Sequence, residues 1–222
     1  MNLQALFILS VTVLGGAAFA APSHSASLAA PDGLVAAQSG HFHEFYVRPD
    51  ADLAGYRRIM IDPVQVEFRK DWQSDMNYPR NVTRSISEDE TRRIAGETAS
   101  GLEGIVAEVF RVRGYEIAAA REPGVLRLSL TVTDLYVNAP DARTTVLTRT
   151  FIREAGGATL HLEARDAASG TVLARGVVHG TTQVNRPLTL ANSVSNRFWF
   201  EGLFTRWATG CADEFEAGRN RP

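Results

Sequence analysis

Cysteine is almost absent from this 222-residue chain, with Cys211 the single example. No intramolecular disulfide can form, and a zinc site built on paired cysteines is excluded. Neither sign of charge dominates: 23 Lys and Arg face 25 Asp and Glu, a formal net charge of -2. That balance gives no electrostatic case for binding nucleic acid or an anionic membrane. No Gly-x-Ser-x-Gly elbow and no phosphate-cradling glycine loop occurs, so a hydrolase triad of that kind and a P-loop have no support. Hydrophobic residues at 45% and charged residues at 22% are ordinary globular values, which rules out a wholly disordered chain.

What is present begins with an address. Leu3 to Ala18 is nearly all apolar, no Lys or Arg precedes it, and Ala18-Phe19-Ala20 has the small-x-small pattern read by signal peptidase. The run is marginal for a bilayer span, which needs about 20 residues; a retained anchor is the alternative. Ala21 to Gly40 is rich in Ala, Ser, Gly and Pro and has no periodicity. The expected organisation is a signal peptide over 1–20, a flexible leader over 21–40 and a single domain over 41–222. The expected destination is periplasmic or secreted, without stable membrane insertion after cleavage.

Ser87 to Gly114 reads as a long amphipathic helix. Ser87-Glu88-Asp89-Glu90 is a capping box, and its acids suit the positive end of the helix dipole. Ile94, Thr98, Leu102, Ile105, Val109 and Val112 recur every three or four residues and predict one buried stripe. Gly114 suits a left-handed C-terminal stop. Gly96, Gly101 and Gly104 weaken the helix, so close approach to a sheet or second helix is expected in compensation. A second helix over Asn192 to Gly218 has Phe200, Leu203, Phe204, Trp207, Ala208, Cys211 and Phe215 on one face, with Asn192 or Ser193 as cap.

The remaining segments alternate like strands. Tyr56 to Phe68 changes phase across Asp62-Pro63, which predicts a bulge or an edge position. Arg69 to Arg84 reads as a loop. Val125 to Val137 alternates cleanly up to a phase flip at Asp134. Thr144 to Ile152 is a further candidate strand. Ala158 to Ala164 and Thr171 to Val184 predict a hairpin closed by Asp166 to Gly170. The order predicts an α+β fold: a two-layer sandwich with a mostly antiparallel sheet and both helices on one face.

Candidate chemistry is thin. His41 and His43, two apart, fall on one face if extended, but no third or fourth metal ligand is visible, so surface positions are expected. With Asp166 opposite Thr171, His161 and His179 fall on opposite faces of the hairpin unless a bulge intervenes. Cys211 reads as a small core residue. No catalytic residue, metal ligand or cofactor is assigned. The one suggestive patch is Arg186, Asn192, Ser193, Asn196 and Arg197, where a helix start could hold an anion; capping the helix is the plainer role.

Several stretches resemble one family. They are Phe45-Tyr46-Val47-Arg48-Pro49, Gly55 to Phe68, Gly124-Val125-Leu126-Arg127-Leu128, Ala158 to Ala174, and Ala191-Asn192-Ser193-Val194-Ser195-Asn196-Arg197. In this order they resemble the domain-of-unknown-function family 3313. The resemblance implies a bacterial envelope protein, often a lipoprotein, with no activity established for the family; this chain lacks the cysteine that would carry the lipid. The combined expectation is an exported, non-catalytic binding or assembly module for an envelope protein or cell-wall component. The alternatives are a hydrolase built on Asp62, Asp134, Asn192 and Arg197, or a subunit pairing through a sheet edge.

Overall fold

The structure, a computed structural model, describes residues 33–77, 85–137, 151–152, 154–183, 189–190 and 193–220, with 151–152, 154–155, 183, 189–190 and 193–199 in backbone only. In chain order its first elements are β1 (Val35–Ala36), β2 (Glu44–Val47), β3 (Arg58–Ile61), β4 (Gln65–Phe68), α1 (Trp72–Asn77) and α2 (Glu88–Val112). There follow β5 (Glu116–Ile117), β6 (Val125–Val137), β7 (Phe151–Ile152), β8 (Glu154–Asp166), β9 (Val172–Gln183), β10 (Thr189–Leu190) and α3 (Ser193–Arg219).

Eight strands make one open, mostly antiparallel sheet in the order β1-β2-β9-β8-β6-β3-β5, with β4 also paired to β6. β7 and β10 pair separately. The parallel component was not expected. β3 and β4 both run parallel to β6, and β5 runs parallel to β3, because α2 carries the chain back between them, as parallel pairing requires. The stretch from 56 to 68 is two strands rather than one. Pro63 has no N–H to give, and the Val64 N–H leaves the ladder to donate to Glu103 Oε1 of α2 at 2.7 Å.

The fold reaches into the segment read as leader. Leu34 is buried, β1 pairs with β2, and the Ser39 hydroxyl donates to Glu214 of α3 at 2.5 Å. Pairing with an existing strand edge orders these residues despite their composition. The segment read as a loop after Arg69 contains α1, whose Trp72 is buried, stacks on Phe68 and donates from its indole to the Val137 carbonyl.

At the ends of α2 the Ser87 half of the capping box and the Gly114 stop are formed. Ser87 Oγ accepts from the Glu90 N–H at 3.2 Å. At the other end the Tyr115 and Gly114 N–H groups reach back to the Phe110 and Arg111 carbonyls, with Gly114 at φ 87°. The Phe110 and Tyr115 rings meet edge to face across that stop. The buried face of the helix is turned from the expected stripe. Leu102, Val106, Ala107 and Phe110 are buried, Ile94, Ile105 and Val109 are half-buried, and Val112 is 78% exposed. The centre of the true stripe lies one residue away from the expected one. Nor do the glycines share one reason. A Cβ on Gly101 would reach Phe204 of α3 at ordinary van der Waals distance, while Gly96 and Gly104 face open space.

α3 packs on β8, β9 and α2; Leu203, Phe204, Trp207, Ala208, Cys211 and Phe215 are buried as read, Ala212 joins them, and Phe200 is only half-buried. Arg113, just past α2, binds Asp213 and Glu216 of α3 at 2.6 and 2.9 Å.

A cavity between the sheet and the last helix

β9 carries the feature on which the site depends. Asp166 closes on Thr171 as expected, but the register slips between Ala164/Ala174 and Arg165/Val172, so Leu173 is an extra residue in the ladder. On the other side of β9 Arg48 makes two bonds: its N–H continues the β2 ladder to the Leu173 carbonyl at 2.8 Å, and its Nε donates to the Val172 carbonyl beside the bulge at 2.7 Å. Arg48 is thereby pinned at the start of the loop 48–54, which folds over the end of α3. There Leu53 comes within 2.6 Å of where a Cβ on Gly218 would stand, so only glycine admits it without a shift.

Beneath that loop lies a cavity of about 440 Å³, within the range of small-molecule sites. Its floor is the apolar face of the sheet: Leu126 and Leu128 of β6, Leu162 and Ala164 of β8, Leu173 and Ala174 of β9. Phe110 of α2 and Cys211 and Phe215 of α3 close the other side. Arg48, Asp50, Asp52, Glu214 and Arg219 are the charged groups in its lining. Burial pushes the Cys211 thiol up to about 12, so it stays protonated and is a poor nucleophile.

Arg219 is the most constrained of these charges. Its Nη1 donates to the Tyr115 hydroxyl at 2.7 Å, and its guanidinium lies 5.6 Å and 6.0 Å from the Tyr115 and Phe215 ring centres. Its Nε is buried without an acceptor among the described residues.

The opposite face of the sheet is polar. Asp62 accepts from Arg127 Nε with both oxygens at 2.8 Å and from Ser129 at 2.5 Å. Burial would raise this carboxyl, but the bonds from Arg127 and Ser129 outweigh it and hold it below the usual range. Glu163 bridges Arg165 and Arg175 at 2.6 and 2.8 Å. A shallower, more open depression of about 480 Å³ lies beside Asp62 and Arg121.

Two histidine expectations are corrected here. The Leu173 bulge shifts His161 opposite Val177 and His179 opposite Thr159, which puts both on the polar face. Each bonds a threonine, His161 to Thr133 at 3.0 Å and His179 to Thr159 at 2.8 Å. His41 and His43 do not share a face, because the chain bends before β2. His41 lies 3.2 Å from Asp213 of α3, while His43 sits against the His179 ring and its Nδ1 accepts from the His179 backbone N–H. Among the described residues no set of three or more potential ligands could hold a metal.

Of the four residues weighed for a hydrolase, Asn192 and the Arg197 side chain lie outside the described residues, and Asp62 and Asp134 are not brought together. The Asp62 N–H pairs with Leu128, whereas Asp134 is exposed at the β6 bulge with φ 52°. That is six residues along the strand, about 20 Å. Of the anion patch, Arg186 and Asn192 lie outside the described residues. Ser193, Asn196 and Arg197 fall in the first turns of α3, with their side chains outside the description. Reasoning from sequence missed Arg48 and Arg219 as site residues. A signal for the cavity wall was present, since Cys211, Phe215 and Gly218 are spaced i, i+4, i+7 on one helix face.

Fold and site together define an α/β protein with one open eight-stranded sheet and a ligand-sized cavity under its last helix. The chain belongs to the family described as "Protein of unknown function (DUF3313)", matched over residues 24–210. Among solved structures it is similar to the PelC dodecamer from Paraburkholderia phytofirmans at 13% identity and TM-score 0.37, over 72% of this chain and 90% of that one. It is similar to XCC0632 from Xanthomonas campestris at 13% identity and TM-score 0.39, over 73% and 85%. Lipoprotein GNA1162 from Neisseria meningitidis matches at 10% identity and TM-score 0.24, over 72% and 98%. No match is found among curated proteins. Among the described residues no helix is long and apolar enough to cross a membrane.

Proposed function

We propose that this chain is an exported envelope protein, a single two-layer α+β domain, that binds a small apolar ligand in the cavity between sheet and α3 without transforming it. The observation that carries the reading is the cavity itself: about 440 Å³, an apolar floor, and a closing loop seated on Gly218. Cavities of this kind are the default ligand sites of proteins. Its one thiol is held protonated, which favours binding over nucleophilic chemistry. Export is supported by the apolar run ending in Ala18-Phe19-Ala20.

The test has two arms. Mature protein should begin at Ala21 and be recovered from periplasm or medium; an intact Met1 in washed membranes would contradict export. Delipidated protein should bind N-phenyl-1-naphthylamine saturably, one per chain. Failure to saturate would contradict a cavity that takes ligands.

A further inference from the structure

The walls of the cavity restrict what can fill it. The sheet side presents Leu126, Leu128, Leu162, Ala164, Leu173 and Ala174, none of which has a side-chain hydrogen-bonding group. A sugar or peptide in that space would leave several of its own polar groups unpaired, at a cost of roughly 1–3 kcal/mol each on protein scales. A hydrocarbon chain incurs no such cost.

At the α3 side the requirement reverses. Arg219 is fixed by the Tyr115 hydroxyl and two rings, and its buried Nε–H still lacks an acceptor among the described residues. Arg219 lines the cavity with its guanidinium already held in place, so an oxygen of a ligand brought against it gains a charge-assisted contact at little further ordering cost. The acids in the lining are already committed or wet. Asp52 accepts from the Ala54 N–H at 2.8 Å, Glu214 accepts from Ser39 at 2.5 Å, and Asp50 is exposed.

We infer that the cavity takes the acyl chain of a single-chain amphiphile, whose carboxylate or ester carbonyl oxygen lies against the Arg219 guanidinium. This rests on the binding reading above and narrows it to a ligand class. The oxygen could belong to a free fatty acid or to a lysophospholipid, and the two are separable by titration.

The experiment is displacement of bound N-phenyl-1-naphthylamine by palmitate, palmitoyl-lysophosphatidylcholine and hexadecylamine, in the parent protein and in Arg219→Met. In the parent, palmitate, the lysolipid or both should displace the probe at least about tenfold more tightly than the amine, the scale of one charge-assisted bond. Displacement by only one of the first two names the source. In Arg219→Met that advantage should vanish, while hexadecylamine binds no more weakly than to the parent, since a like charge has been removed from its head group. Equal or tighter binding of the amine in the parent would give the head-group role to the acids and overturn the inference. So would an unchanged palmitate affinity in a variant that melts like the parent. If the probe binds and no acyl chain displaces it, the ligand class is wrong and the binding reading stands. If the probe itself does not bind, the binding reading fails.

Discussion

The two faces of the same sheet are built on opposite principles. Toward the helices the side chains shrink from strand to strand: Leu126, Leu128, Leu130 and Val132 on β6, then Ala158, Leu160, Leu162 and Ala164 on β8, then Ala174, Gly176, Val178 and Gly180 on β9. The glycines are where bulk arrives from outside. A Cβ on Gly180 would collide with Leu203 and Trp207 of α3, and one on Gly176 would lie 2.6 Å from the Phe42 ring. Away from the helices the same strands offer Arg127, Ser129, Thr131 and Thr133, then Thr159, His161, Glu163 and Arg165, then Arg175 and His179. Thr133 bonds His161, Thr159 bonds His179 and Glu163 binds Arg175 across strands, while Arg127 and Ser129 hold Asp62. One face is held by shape and the other by pairing, and the space left on the first is lined by apolar side chains, while the depression on the second is open and polar-rimmed.

This contrast predicts a ranking. Truncating Leu160, fully buried on the helix face, to alanine should cost about 2–5 kcal/mol, measured by denaturant unfolding. Gly180→Val should cost about 1–3 kcal/mol by overpacking against Leu203 and Trp207, with an unchanged far-ultraviolet spectrum. A tolerated valine would mean that α3 does not sit on β9 as described.

On the polar face the effects should be smaller and pH-dependent. Asp62 has a lowered folded-state pKa, so its contribution is present above the unfolded value, about 4, and is lost as pH falls through the folded value. Asp62→Asn should therefore be modestly less stable than the parent near neutrality and converge with it in acid. A gap that widened in acid would refute the ion pair. Smallest of all, His161→Ala and His179→Ala should each shift stability within about 0.5 kcal/mol, and EDTA should leave the melting temperature of the parent unchanged.

Reading the chain alone recovered what local pattern encodes. The Ser87 cap, the Gly114 stop, the buried face of α3 and the alternation of β6 and β8 follow from side-chain periods of 3.6 and 2 and from terminal hydrogen bonds. What it missed depends on partners far along the chain. The parallel pairing of β3 and β4 with β6 is a matter of topology, and the ordering of 33–40 follows from a strand edge supplied by residues 44–47. The site was illegible for a similar reason. A single extra residue, Leu173, turns His161 and His179 onto one face, and Arg48 bonds beside it. Periodicity cannot reveal such a slip, because one residue inverts every later assignment on the strand.

The central claim is that ligand enters the helix-side cavity and not the polar face. It is tested most directly by equilibrium binding of N-phenyl-1-naphthylamine to the parent, to Ala174→Trp and to Thr131→Trp, with each variant's folding confirmed by its melt. Ala174 lines the cavity, and Thr131 borders the open depression on the other face. The account predicts saturable binding to the parent and Thr131→Trp, and its loss in Ala174→Trp. Binding that survives in Ala174→Trp, or that disappears in Thr131→Trp, would contradict it.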